Sequence, residues 1–288
     1  MKKTLSMLLA GAMLAAALTG CGSPASTGSD NADSSTDSSA SGAAFKLGGT
    51  GPLTGAAAIY GNACKNGAQI AVDEINAEGG DIQFELNYQD DEGDAEKAVN
   101  AYNTLKDWGL QVLAGPVTTT PSIAVAAETA NDNMFMMTPS ASAPAVIESG
   151  DNVFQICFTD PNQGVNAAKF LAQKYADEKF VLFYNSGDAY SSGVADAFKA
   201  QAAESKLEVV DEETFKDDSA TSFTNQLTKA KQAGATMIFA PIYYTPASVL
   251  LKNAKDMGYD VKMMGCDGMD GILGVEGFDT SLAEGLLL

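Results

Sequence analysis

The sequence predicts an α/β protein built of parallel sheets flanked by helices, and three observations carry that expectation. From Phe45 onward, short runs of large apolar residues alternate with helical patterns. Most strand candidates are separated by one helical pattern of ten or more residues, the long crossover that parallel pairing requires. The composition, 45% apolar and 8% aromatic over 288 residues, suits a globular protein of one or two domains.

The elements follow in order. FKLGGT, from Phe45, reads as a strand, and a helical pattern from Asn62 puts Ala63, Gly67, Ile70, Ala71 and Ile75 on one side until Gly79 and Gly80 stop it. Ile82, Phe84, Leu86 and Tyr88 alternate as one strand face, and Asp94 is placed to cap a helix carrying Ala98, Val99, Tyr102 and Leu105. LQVLAG, MFMMT, NVFQICF, FVLFYN, LEVVDEE, TMIFA and VKMMG continue the series of strands.

Ahead of Phe45 the composition is different. Residues 1–20 have a basic start, an apolar stretch and small residues at the end, the pattern of a secretory signal too short to span a membrane convincingly. Leu18-Thr19-Gly20-Cys21 resembles the lipobox of bacterial lipoproteins, which implies lipidation of Cys21 and anchoring on the outer face of the cytoplasmic membrane. Residues 21–44 are nearly all Ser, Ala, Gly, Asp and Thr after the cysteine, too little apolar surface to offset ordering, and read as a disordered tether.

Charge and composition exclude several functions. The formal net charge is −20, which repels nucleic-acid phosphates, so no nucleic-acid partner is expected. There is no arginine and no histidine, so a bound carboxylate must be met by lysine, hydroxyls or backbone N–H groups. Without histidine, Ser-His-Asp and Cys-His nucleophiles and HExxH zinc sites are ruled out. GGTGPLTG lacks the spacing of a dinucleotide fingerprint, and no GxxxxGK[ST] occurs. No enzyme activity, cofactor or metal is expected. Asp267 and Asp270 lack the ligand spacing of a calcium loop, and the acids from Asp90 to Asp94 read as a solvated helix start. Cys64, Cys157 and Cys266 read as mostly buried thiols, with one oxidised pair left open.

In open parallel sheets, ligands bind beyond the carboxyl ends of the strands. That rule selects GTGPLTGAAAIYG, GPVTTTPS, TPSASAPA and NSGDAYSSG, loops rich in residues that turn hydroxyls and N–H groups outward. For GPVTTTPS two readings stand: a ligand loop, or hydroxyls of Thr120 or Ser122 capping the next helix.

GPLTG with AAAIYG, NGAQIAVDEINAEGG, QDDEGDAEKAVNA, GPVTTTPS, MMTPSASAP, CFTDPNQG, the segment around Tyr190, APIYY and MMGCDGMDG occur in an order that resembles the branched-chain amino acid binding proteins of ABC transporters. The resemblance implies a type I periplasmic-binding, Venus-flytrap fold of two Rossmann-like lobes, here 45–159 and 160–288. It also implies that Thr119 and Ser142 hold a ligand α-carboxylate with backbone near Ser140, that Asp160 and Asp267 meet the α-ammonium, and that Tyr60, Tyr190 and Tyr243 line the pocket. Plainer roles stay open beside these: helix packing for Tyr60 or Tyr190, capping near Asn162 for Asp160, and turn formation for Asp267.

The function so implied is an extracytoplasmic receptor that delivers an aliphatic amino acid to an ABC transporter permease. The alternative is a sensor for small amides or other amino acids that feeds a signalling partner. In the family the chain returns to complete the first lobe, whereas SLAEGLLL ends this sequence where that return should begin. The last unit of lobe one is therefore expected to be missing.

Overall fold

The computed structural model describes residues 44–288, so the expectations for the signal segment, Cys21 and the tether through residue 43 lie outside the described residues. Among the described residues nine strands form two sheets, and every pairing between these strands is parallel. The first sheet contains β1 (Phe45–Gly51), β2 (Phe84–Asp90), β3 (Val112–Ala114), β4 (Met136–Thr138) and β5 (Val153–Gln155), in the order β2-β1-β3-β4-β5. The second contains β6 (Lys179–Asn185), β7 (Glu208–Phe215), β8 (Met237–Phe239) and β9 (Lys262–Met264), in the order β7-β6-β8-β9. The parallel sheets with helical crossovers are those the strand and helix alternation anticipates, and the two lobes are those the family resemblance implies.

Helices supply the crossovers: α1 (Ala58–Ala77), α2 (Ala95–Trp108), α3 (Thr119–Asp132), α4 (Asp160–Lys174), α5 (Ala189–Ser205), α6 (Thr224–Gln232) and α7 (Tyr244–Asp256). Asp94 caps α2 as read, its carboxylate accepting from the Lys97 N–H at 2.9 Å, and Gly109 closes that helix at φ +98°, in the left-handed region. Helix α1 starts four residues earlier than the sequence pattern suggests, which brings Tyr60 into its first turn. AAAIYG lacks a polar cap to announce a helix start, and no side-chain cap forms there.

The side-chain alternation along each strand explains the cores. In the second sheet Phe180 and Leu182 of β6 point to one face, against α4 and α5, while Val181 and Phe183 point to the other, against Phe223, Leu227 and Leu250. The first sheet buries Leu113, Met136 and Val153 under α2 and α3. On its opposite face Met137 and Phe154, paired in register on β4 and β5, stay partly exposed.

Helices α4 and α5 touch at a glycine. A Cβ on Gly164 would lie 2.4 Å from the Val194 carbonyl oxygen and 2.7 Å from the Phe198 nitrogen, both backbone atoms that cannot rotate away. Helix propensity alone would favour Gly164→Ala by ~1 kcal/mol. The backbone clash reverses the sign, and a loss of about 1–3 kcal/mol is expected. A lower denaturant midpoint with an unchanged m-value would register it, whereas a higher midpoint would show that the two helices separate freely.

Candidate functional site

Parallel pairing directs the carboxyl ends of both sheets toward one cleft, and the loops there enclose a cavity of about 220 Å³. Lobe one contributes Tyr60 from α1, Val117, Thr118 and Thr119 from the β3–α3 loop, and Ser140 and Ser142 after β4. Across the cleft stand Tyr190 at the start of α5, Tyr243 before α7, and Asp267, Gly268 and Asp270 after β9. Seven of the eight residues selected from the sequence share this cavity: Tyr60, Thr119, Ser140, Ser142, Tyr190, Tyr243 and Asp267.

The eighth, Asp160, does not line it. It is the first residue of α4, fully buried, with its N–H donating to the Ser142 carbonyl at 3.0 Å and a carboxylate oxygen against Gly193 of α5. Neither carboxylate oxygen has a hydrogen-bond partner, so Asp160 does not act as a side-chain cap for α4. Burial pushes its carboxyl up to about 7 against an opposing pull from the neighbouring Ser142 hydroxyl, and the charges of Asp267 and Asp188 add to the rise.

Hydroxyls dominate the lobe-one wall. The Thr119 hydroxyl accepts from the Ser142 N–H at 3.1 Å, which leaves its own proton free to donate, and it sits at the N-terminal end of α3. Ser140 is already engaged, its hydroxyl donating to the Val117 carbonyl at 2.9 Å. The helix-capping alternative for this loop does not hold. Thr120 donates instead to Asp188 of lobe two at 2.9 Å, and Ser122 donates to the Pro116 carbonyl at 3.1 Å.

The opposite wall is made of acceptors and rings. Tyr190 donates to the Asp267 carboxylate at 2.8 Å and accepts from the Gly268 N–H at 3.0 Å, which fixes both sides of the Asp267–Met269 turn. Asp267 therefore shapes a turn and also presents a carboxylate to the cavity. Tyr190 stacks on Tyr243 with centroids 5.1 Å apart, and burial raises the hydroxyl pKa of both.

Tyr60 joins the lobes. Its oxygen lies 2.6 Å from the Asp270 carbonyl, 2.8 Å from that of Gly268 and 3.1 Å from that of Asp267, three acceptors around one proton. Three further bonds cross the cleft: the Ile59 N–H to the Tyr244 hydroxyl, the Thr245 hydroxyl to the Ala56 carbonyl, and the Ala189 N–H to the Thr120 hydroxyl. With the Thr120–Asp188 bond, the lobes thus meet in a closed arrangement without a salt bridge between them among the described residues.

Sequence reasoning missed Val117, Thr118, Gly268 and Asp270. Each lies within three residues of a selected one, and that proximity was the signal that pointed to them. Among the described residues no three His, Cys, Asp or Glu side chains gather in a way that could hold a metal ion.

Two parallel-sheet lobes closing over a cavity with hydroxyl donors on one wall and carboxylate and carbonyl acceptors on the other define a two-lobed binder of small molecules. The chain belongs to the periplasmic binding protein family, whose model matches residues 44–281. That is a family of non-catalytic binding proteins of the type I, Venus-flytrap architecture, and the chain shares this fold. It is 34% identical over 222 residues to the Leu/Ile/Val-binding protein BraC3 of Rhizobium johnstonii, covering 76% of this chain and 60% of that protein. A leucine-, isoleucine-, valine-, threonine- and alanine-binding protein of Pseudomonas aeruginosa is 28% identical, with coverage of 78% and 61%. Among solved structures, the branched-chain amino acid transporter substrate binding protein LivJ of Streptococcus pneumoniae, in complex with isoleucine, superposes with a TM-score of 0.71 at 30% identity, covering 77% of this chain and 64% of that one. The chain spans about 60% of the length of the curated relatives it matches.

The buried Asp160 makes stability pH-dependent. An acid whose native pKa lies above its unfolded value takes up its proton in the native state first, so its contribution is full below about pH 4 and is lost as pH rises toward 7. Asp160→Asn keeps the shape without the charge. Its melting temperature is expected to exceed the parent's at pH 8, each 1 kcal/mol appearing as about 2–4 °C, with the gap closing toward pH 4. Thermal melts across that range test this; a gap independent of pH would mean that folding does not raise the Asp160 pKa.

Proposed function

We propose that this chain is an extracytoplasmic receptor for an amino acid with an aliphatic, branched-chain-type side chain, and that it serves an ABC importer. The observation that carries the reading is the polarity of the cavity: the free Thr119 hydroxyl proton and the Ser142 hydroxyl at one wall, the Asp267 carboxylate and loop carbonyls at the other. A zwitterion needs donors for its carboxylate and acceptors for its ammonium. In a closing cleft shielded from water, charge-assisted hydrogen bonds to both ends are strong.

In this reading Thr119, Ser142 and backbone near Ser140 hold the carboxylate, Asp267 meets the ammonium, and the rings of Tyr60, Tyr190 and Tyr243 surround the remainder. Asp160, buried behind Ser142 and outside the cavity lining, supports the Ser142 backbone and does not touch the ligand. The relatives that bind leucine, isoleucine and valine support an aliphatic side chain, and the apolar Val117 and the ring faces are compatible with one. Lobe one spans 45–159 and lobe two 160–288, and opening about the segments between them admits the ligand. A lipid on Cys21 and a tether from residues 22–44 hold the receptor beside a permease, which recognises the closed form.

Leucine, isoleucine or valine at a hundredfold its Kd is expected to add about 2.7 kcal/mol to stability, a visible rise in melting temperature. No rise with any amino acid would overturn the reading. Thr119→Val and Asp267→Asn should each weaken binding by about tenfold or more in titration calorimetry, since each leaves a charged end of the ligand short of a partner. Parent-like affinity in either variant would remove that residue from the site.

A further inference from the structure

A second cavity, of about 510 Å³, lies in the same cleft and shares the walls formed by Thr118 and Tyr243 with the first. Its lining carries five carboxylates and one ammonium, that of Lys216. Four of the carboxylates are already occupied. Glu92 pairs with Lys97 at 2.6 Å, Asp94 caps α2, Asp188 caps α5 and accepts from Thr120, and Asp217 accepts from both the N–H and the hydroxyl of Ser219.

Asp218 differs. One of its oxygens accepts from the Asn185 side-chain N–H at 2.9 Å, and no cation pairs with it. Burial, reinforced by the charges of Asp188 and Asp217, pushes its carboxyl up to about 6, which marks an incompletely compensated negative charge. An independent observation lies in the shared wall: the Thr118 hydroxyl is buried without a hydrogen-bond partner, on a residue only 6% exposed. A buried hydroxyl in a cavity wall is satisfied when a ligand or its water reaches it. Since no three metal-ligating side chains gather among the described residues, an organic cation fits this chemistry better than a metal ion.

We propose that the second cavity takes the terminal ammonium of a ligand whose amino-acid end occupies the first, so that the cleft accepts amino acids with a basic side chain as well as aliphatic ones. The inference rests on the amino-acid reading above. A lysine's four-carbon stem would run along Tyr243 and Thr118, the residues both cavities share, and carry its ammonium toward Asp218 in the second. Long-range attraction from a chain of net charge −20 favours entry of such a cation.

Titration calorimetry on the full chain with L-lysine and L-norleucine isolates the terminal ammonium, because the two share the same carbon stem; L-leucine serves as the aliphatic reference. Lysine is expected to bind about tenfold more tightly than norleucine at low ionic strength, and Asp218→Asn is expected to bring that ratio close to one. Lysine weaker than norleucine, with norleucine or leucine still bound, overturns this inference and leaves the amino-acid reading intact. A tenfold lysine preference retained in Asp218→Asn overturns the assignment of Asp218. Absence of binding by all three overturns the inference together with the reading on which it rests.

Discussion

Parallel strand pairing is the constraint on which the rest of this structure depends. Two parallel neighbours cannot be joined by a tight turn, so each connection crosses over, through an α-helix in all but the β4–β5 link, and all strands of a sheet finish on the same side. In this chain both sheets finish toward one cleft, and residues as distant in sequence as Tyr60 and Asp270 come within hydrogen-bonding distance. The site is a consequence of that edge, where backbone groups released from the ladders and the first turns of α3, α5 and α7 have no partners within the sheet.

The absence of arginine and histidine shapes the chemistry of the cleft. Donors for an anion are hydroxyls and N–H groups, whose strength depends on exclusion of water. Closure supplies that exclusion through hydrogen bonds of Tyr60, Thr120, Tyr244 and Thr245 across the lobes, none of which uses a salt bridge. The charged groups left in and behind the cleft are mostly acids. Desolvation raises the pKa of Asp160, Asp188 and Asp218, and for Asp160 and Asp218 the neighbouring carboxylates add to the rise. A cleft with that excess of negative charge is suited to a ligand that brings a cation.

Composition made four loops of the site legible, and the resemblance to the family selected the residues within them and the loops that hold Tyr243 and Asp267. Thr119, Ser140 and Ser142 lie in two such loops after predicted strands, and all three line the cavity. Legibility failed where the role of a residue depends on a partner far away in sequence. Thr120 reads as a helix cap, but lobe closure brings the Asp188 carboxylate to accept from its hydroxyl and the Ala189 N–H to donate to it, both across the cleft. Asp160 reads as a residue of the cavity, but the start of α4 turns it behind Ser142 and against the α5 backbone. The NVFQICF run was longer than the strand it forms: only Val153–Gln155 pair with β4, and Ile156 and Phe158 remain exposed.

By itself the sequence determined the order of strands and helices, the parallel class of the sheets, and four of the loops from which the cleft is made. These depend on local periodicity and turn chemistry, which are written within windows of a few residues. Only the tertiary structure decided which hydroxyl keeps a free proton, which acid is buried without a partner, and that two cavities share Thr118 and Tyr243. Those outcomes depend on distances between residues from different lobes, which are fixed by how the helices pack on their sheets and how the lobes meet, and no local pattern encodes them.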